Sequence, residues 1–157
     1  CVDGCPSDTA PVLVAMGAKI VTNKKTWEAA DFFVTKGEQI NSIDADEIVT
    51  EIQIPALASG AKSAYVKFAF RKSIDFPIVG VAAVISASEA SIVMGGVHPQ
   101  PRRATAAENS IRGKAIDEAS ATEAGNAATQ GSVALGQNSY KVQIAKVMTK
   151  RAILACK

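Results

Sequence analysis

With 157 residues, 48% of them hydrophobic, the chain can build one good core or two small lobes sharing one, which excludes wholesale disorder. A formal charge of +2 is too balanced for a nucleic-acid binder or a polybasic membrane patch. No apolar run approaches the roughly 18–20 residues of a membrane span.

The chain opens on Cys1, and the first methionine is Met16. The expectation is therefore the C-terminal part of something longer, with motifs lying upstream. No basic region followed by an apolar core marks a signal peptide at this start. The three cysteines are Cys1, Cys5 and Cys156. An odd number at opposite ends is not a disulfide framework, so a reducing cytoplasm is expected. Cys1 and Cys5 stand at C-x3-C spacing, but a cluster usually needs four ligands. No other cysteine or histidine is near them in sequence, so incidental thiols are the simpler reading and no metal site is predicted.

Residues 7–16, SDTAPVLVAM, read as a short helix. Ser7 or Asp8 can accept a bond from a free amide at its start, Pro11 is tolerable in the first turn, and Gly17 suits the C-terminal cap. AKIVT reads as a strand, NKK as a turn and TWEA as a second short strand. ADFFVTKGEQ follows as a loop anchored by Phe32 and Phe33. EIVTEIQIP alternates Ile48, Thr50, Ile52 and Ile54 against Val49, Glu51 and Gln53, the period of a strand, and ends at Pro55.

ALASGAKS is the clearest hinge. Three strand-like runs follow, 63–72, 78–85 and 91–97, with short links that favour an antiparallel meander. The first puts Tyr65, Lys67, Ala69 and Arg71 on one face and Val66, Phe68, Phe70 and Lys72 on the other, then breaks at Ser73. The last third changes to helical period in ATAAENSIRGK, AIDEASATEAGNAAT and SYKVQIAKVMTKRAILAC. In the third of these, Tyr140, Ile144, Val147, Arg151 and Leu154 share one face. Strands and helices are segregated along the chain, so the fold class is α+β.

Self-contained chemistry is hard to find. His98 is the only histidine and lacks an obvious carboxylate partner in sequence. No G-x-S-x-G, H-E-x-x-H or P-loop is present. Gly95 and Gly96 suit a bulge or a close backbone approach rather than a phosphate loop. Asp44, Asp46 and Glu47 read as a solvated polar turn. The chain does not carry a complete active site.

Five segments in order carry a resemblance: PSDTAPVLVAMGAKIVT, DEIVTEIQIP, SAYVKFAFRKSIDFPIVGVAAVI, VMGGVHPQPRRATAAE and YKVQIAKVMTKRAIL. Together they resemble the C-terminal half of the FAD-binding subunit of the molybdenum hydroxylases, the xanthine dehydrogenase, carbon monoxide dehydrogenase and aromatic-CoA reductase group. The resemblance implies the end of an α/β FAD-binding lobe over residues 1–56. Over 57–157 it implies a C-terminal domain of a three-stranded antiparallel sheet and a three-helix bundle.

The resemblance also implies roles. Asp8 matches an acidic residue near the adenosine part of FAD, against the alternative that it only caps its helix. Ile48 and Val49 match apolar positions packed on the flavin ring, or are plain core. Lys67 matches a basic residue beside the isoalloxazine. Asp75 and Phe76 match the loop over the ring, with Phe76 either stacking there or anchoring a hairpin in the core. The implied activity is that of an oxidoreductase passing electrons between [2Fe–2S] clusters and an external acceptor, NAD or a quinone, through FAD. The implied partners are a molybdenum-cofactor subunit, an iron–sulfur subunit and the N-terminal FAD lobe. The competing reading is a non-catalytic assembly module derived from the same domain.

Overall fold

The computed structural model describes residues 4–157. Cys1, half of the C-x3-C pair, lies outside the described residues. Helix α1 spans Thr9–Ala15, and its first free amides are met by Ser7, whose Oγ accepts from Ala10 N at 3.0 Å. Strands β1 (Lys19–Thr22), β2 (Thr26–Glu28) and β5 (Val49–Gln53) form an antiparallel sheet in the order β2-β1-β5.

Residues 29–41 correct the loop expected there. They form a four-residue helix α2 (Ala29–Phe32) and a hairpin of β3 (Phe33–Lys36) and β4 (Gln39–Asn41). Each piece is too short to show a period, and the polar TKGE at its tip reads as loop. Phe32 is the anchor expected, buried edge-to-face against both Trp27 and Phe33. Glu47 also departs from the solvated turn. It is 5% exposed, accepts from the Thr22 hydroxyl, and takes further bonds from Asp44 N at 3.1 Å and Trp27 Nε1 at 3.4 Å.

The predicted meander is formed by β6 (Lys62–Phe68), β7 (Val79–Ile85) and β8 (Ala90–Gly95). A fourth strand, β9 (Arg102–Arg103), pairs with Val93 and Met94. Two residues at a Pro-flanked edge carry no alternation, so nothing in the sequence marks it. Both faces of the sheet are covered, which is why β7 reads as an unbroken apolar run. On one face Val79, Val81, Ala83 and Ile85 pack with Ile92, Met94 and the helices α3 (Thr105–Ile111), α4 (Glu118–Ala128) and α5 (Tyr140–Leu154). On the other, Ala82 and Val93 pack against Ala15 of α1.

Glu108 ties this arrangement together. Only 1% exposed, it accepts from Ile92 N at 2.8 Å and from Arg103 Nε at 2.8 and 3.0 Å. One carboxylate thus joins α3, β8 and β9.

The stripe expected on α5 is misplaced around the helix. Its buried residues are Ala145, Met148, Thr149, Ala152 and Ile153, whereas Tyr140 is 48% exposed. Size misleads here, because α4 approaches too closely for large side chains. A Cβ on Gly125 would stand 2.6 Å from the Lys146 carbonyl oxygen. Gly125→Ala is therefore expected to push α4 off α5 and cost about 1–3 kcal/mol, read as a lower urea midpoint. An unchanged midpoint means the helices can part without loss.

Candidate functional site

The segment before α1 is pinned by backbone bonds from Cys5 N to His98 O at 2.8 Å and from Gly96 N to Cys5 O at 2.9 Å. It follows the end of β8 and delivers Asp8 over β6. There Asp8 is helical in backbone but makes no side-chain cap bond, so the capping alternative is excluded. Its carboxylate instead reaches across the sheet. Oδ1 accepts from the Tyr65 hydroxyl at 2.8 Å and Oδ2 from Lys67 Nζ at 2.7 Å.

Alternation on β6 makes this possible, because Tyr65 and Lys67 share the face toward α1 while Val66 packs into the helical core. Lys67 Nζ donates a second bond to the Asp75 carbonyl at 2.6 Å. An ammonium has three hydrogens, so one remains uncommitted among the described residues. The side chains are 27% exposed for Lys67 and 45% for Asp8.

The electrostatics follow from these bonds. Partial burial raises the Asp8 pKa, but bonds from Lys67 and Tyr65 and the Lys67 charge outweigh it and hold the group below the ordinary aspartate range. Tyr65 moves the other way, because burial, then the bond to Asp8 and the nearby carboxylate charge all oppose the phenolate.

β6 ends at Phe68, four residues before the expected end, where its carbonyl accepts from Ile78 N at 2.8 Å. Residues 69–77 form a projecting loop organised by Asp75. Its Oδ2 accepts from Arg71 N at 3.2 Å and Arg71 Nε at 3.4 Å, and its Oδ1 from Phe76 N at 3.0 Å. The Arg71 bond in particular lowers the Asp75 pKa. Arg71, which alternation places on the face of Tyr65 and Lys67, is thus the brace of the loop. The braced loop presents Phe70, Ile74 and Phe76 at 84%, 98% and 73% exposure, which excludes a core anchor for Phe76.

Ile48 and Val49 stand elsewhere, beside and on β5, and are likewise not core at 68% and 38% exposure. The structure therefore brings Asp8, Lys67 and Asp75 into direct contact and leaves Ile48, Val49 and Phe76 as exposed apolar surface. Sequence reasoning passes over Tyr65. The signal was available, since Tyr65 shares the Lys67 face, but only the folded register shows what it meets.

The cluster is a surface site, distinct from two cavities among the described residues. One, of about 740 Å³, lies between His98, Arg102 and the 127–135 segment. The other, of about 570 Å³, lies between Gly17, Leu57 and Arg112. Among the described residues no group of three or more His, Cys, Asp or Glu could hold a metal ion. No helix among them is long and apolar enough to cross a membrane.

Residues 64–156 match the family model described as CO dehydrogenase flavoprotein C-terminal domain, and the chain belongs to that family. It is 29% identical to the glyceraldehyde dehydrogenase medium chain of Sulfolobus acidocaldarius, over 93% of this chain and 55% of that protein. It is 30% identical to the nicotine 6-hydroxylase medium subunit of Paenarthrobacter nicotinovorans, over 91% and 53%.

Among solved structures, carbon monoxide dehydrogenase from Hydrogenophaga pseudoflava superposes with a TM-score of 0.83 at 29% identity, covering 98% of this chain and 57% of that one. Quinoline 2-oxidoreductase from Pseudomonas putida 86 also gives 0.83, at 27% identity, covering 97% and 56%. The chain thus spans about half the length of the relatives it matches, and its α+β fold is theirs.

Proposed function

We propose that this chain forms one wall of the FAD site in the flavin-binding subunit of a molybdenum hydroxylase. The observation that carries the reading is the uncommitted Lys67 N–H, held at an open surface beside the exposed Phe76 loop. An ammonium fixed by two bonds with its third hydrogen uncommitted suits the carbonyl edge of a flat heterocycle. Exposed apolar side chains at Phe76, Ile48 and Val49 suit its faces. These donors and surfaces fit a flavin from one side only. Bound FAD would supply a carrier that exchanges electrons between [2Fe–2S] clusters and an outside acceptor such as NAD or a quinone.

The share of this chain is positional. Asp8 and the Asp75 carbonyl orient Lys67, Arg71 braces the loop through Asp75, and residues 1–56 complete the lobe that ends over the ring. Asp8 and Lys67 are in contact, so both meet the same region of the ligand rather than opposite ends of an extended dinucleotide. Asp8 then acts beside the isoalloxazine with Lys67, and the adenosine lies elsewhere. The molybdenum and iron–sulfur centres would belong to partner subunits of the assembly.

The resemblance implies that glycine-rich loops holding the FAD pyrophosphate belong to the N-terminal lobe, the other half of the subunit. The isolated 157-residue chain is therefore expected to bind FAD weakly or not at all, followed by quenching of flavin fluorescence. Adding that half should restore stoichiometric binding. Tight binding to the isolated chain, or none to the complete subunit, would count against the reading and, in the second case, favour an assembly module.

A further inference from the structure

Among the described residues, the hydrogen-bonded link from Tyr65 to Lys67 runs through Asp8. The Tyr65 hydroxyl donates to Asp8 Oδ1 at 2.8 Å, while the other oxygen of the same carboxylate holds Lys67 at 2.7 Å. The ring is accommodated by Gly80, the β7 residue paired with Lys67, where an added Cβ would collide with the Tyr65 hydroxyl. Room for a phenol directly behind the ion pair is thus built into the neighbouring strand.

A carboxylate shares its charge between the donors it serves. While the phenol holds Oδ1, less of that charge is available to neutralise the ammonium at Oδ2. With the phenol gone, the carboxylate compensates Lys67 more fully.

We propose that Tyr65 is a positioning residue that sets, through Asp8, how much of the Lys67 positive charge reaches the flavin. The inference rests on the flavin-wall reading above. Tyr65 makes the site more electron-accepting than the ion pair alone would be. The upward displacement of Tyr65 ionisation by burial and by Asp8 agrees with a phenol that remains a donor throughout the physiological range.

The test uses the flavin-loaded holoenzyme and reads the flavin midpoint potential. Tyr65→Phe is expected to retain flavin and move the potential to more negative values. Asp8→Asn, which removes the compensating charge, is expected to move it to more positive values. The double variant should match Asp8→Asn alone, because Tyr65 acts only through Asp8. A potential that ignores Tyr65→Phe, or additive shifts in the double variant, overturns the inference.

A flavin-free measurement separates this from the underlying reading. The 157-residue chain has two tyrosines, so in that chain with Tyr140→Phe an ultraviolet titration follows Tyr65 alone. Asp8→Asn should lower its ionisation toward the ordinary value of about 10. No movement means the relay does not exist. A holoenzyme that carries no flavin at all overturns the functional reading itself, whereas a flavin insensitive to Tyr65 overturns only the role of Tyr65.

Discussion

Glu108→Ala is expected to destabilise the chain by about 2–4 kcal/mol, roughly 5–15 °C of melting temperature in a chain of this size. Glu108 is 1% exposed, and the amide of Ile92, also fully buried, donates to it. Truncation leaves that amide without an acceptor and removes the clamp on Arg103, the last residue of β9. The Arg103 side chain is 56% exposed, so water can solvate it again, and most of the loss comes from the orphaned amide. Glu108→Gln keeps an acceptor for Ile92 N and is expected to recover at least half of the loss. Equal melting temperatures for the two variants would show that packing volume, not the hydrogen bond, sets the cost.

Lys67→Ala is expected to leave the fold nearly intact yet weaken flavin retention in the complete subunit by about 10- to 100-fold, the worth of a charge-assisted hydrogen bond. Stability should change little, because Asp8 is 45% exposed and regains water when its partner goes. The ligand instead meets an uncompensated carboxylate where an ammonium N–H stood. The flavin potential should therefore also fall. Flavin content by absorbance and potential by redox titration check both parts. Unchanged values in both would return Lys67 to a solvated strand face. The pH dependence has a definite sign. Asp8 is held below the ordinary aspartate pKa, so the pair is present at neutral pH and on the acid side is lost as pH falls through that lowered value.

The meander over 62–95 is legible from alternation and short links, because a strand against a core repeats its environment every second residue. The same alternation places Tyr65 and Lys67 on one face. Residues 29–41 and Arg102–Arg103 are not legible, since strands of two to four residues repeat the two-residue period too few times to stand out from the polar turn residues beside them. The α5 stripe fails for a different reason. Side-chain size alone does not mark burial here, because Gly125 of α4 sits against the α5 backbone at Lys146, and the small Ala145, Thr149 and Ala152 are buried with Met148 and Ile153.

The sequence by itself determines the α+β class, the order of the main strands and helices, and the identity of the charged residues on β6. Local periodicity and turn chemistry suffice for that. The tertiary structure alone decides that Asp8, 59 positions from Lys67, is its ion-pair partner rather than a helix cap. It also decides that Arg71 serves Asp75 and that Tyr65 stands behind the pair. The contacts of Asp8 with Lys67 and Tyr65 depend on the path of residues 5–8 along the end of β8 and over β6, whereas the Arg71–Asp75 pair is a local contact of the loop. Hydrogen bonds between distant residues have no period of their own, so only packing brings them within reach.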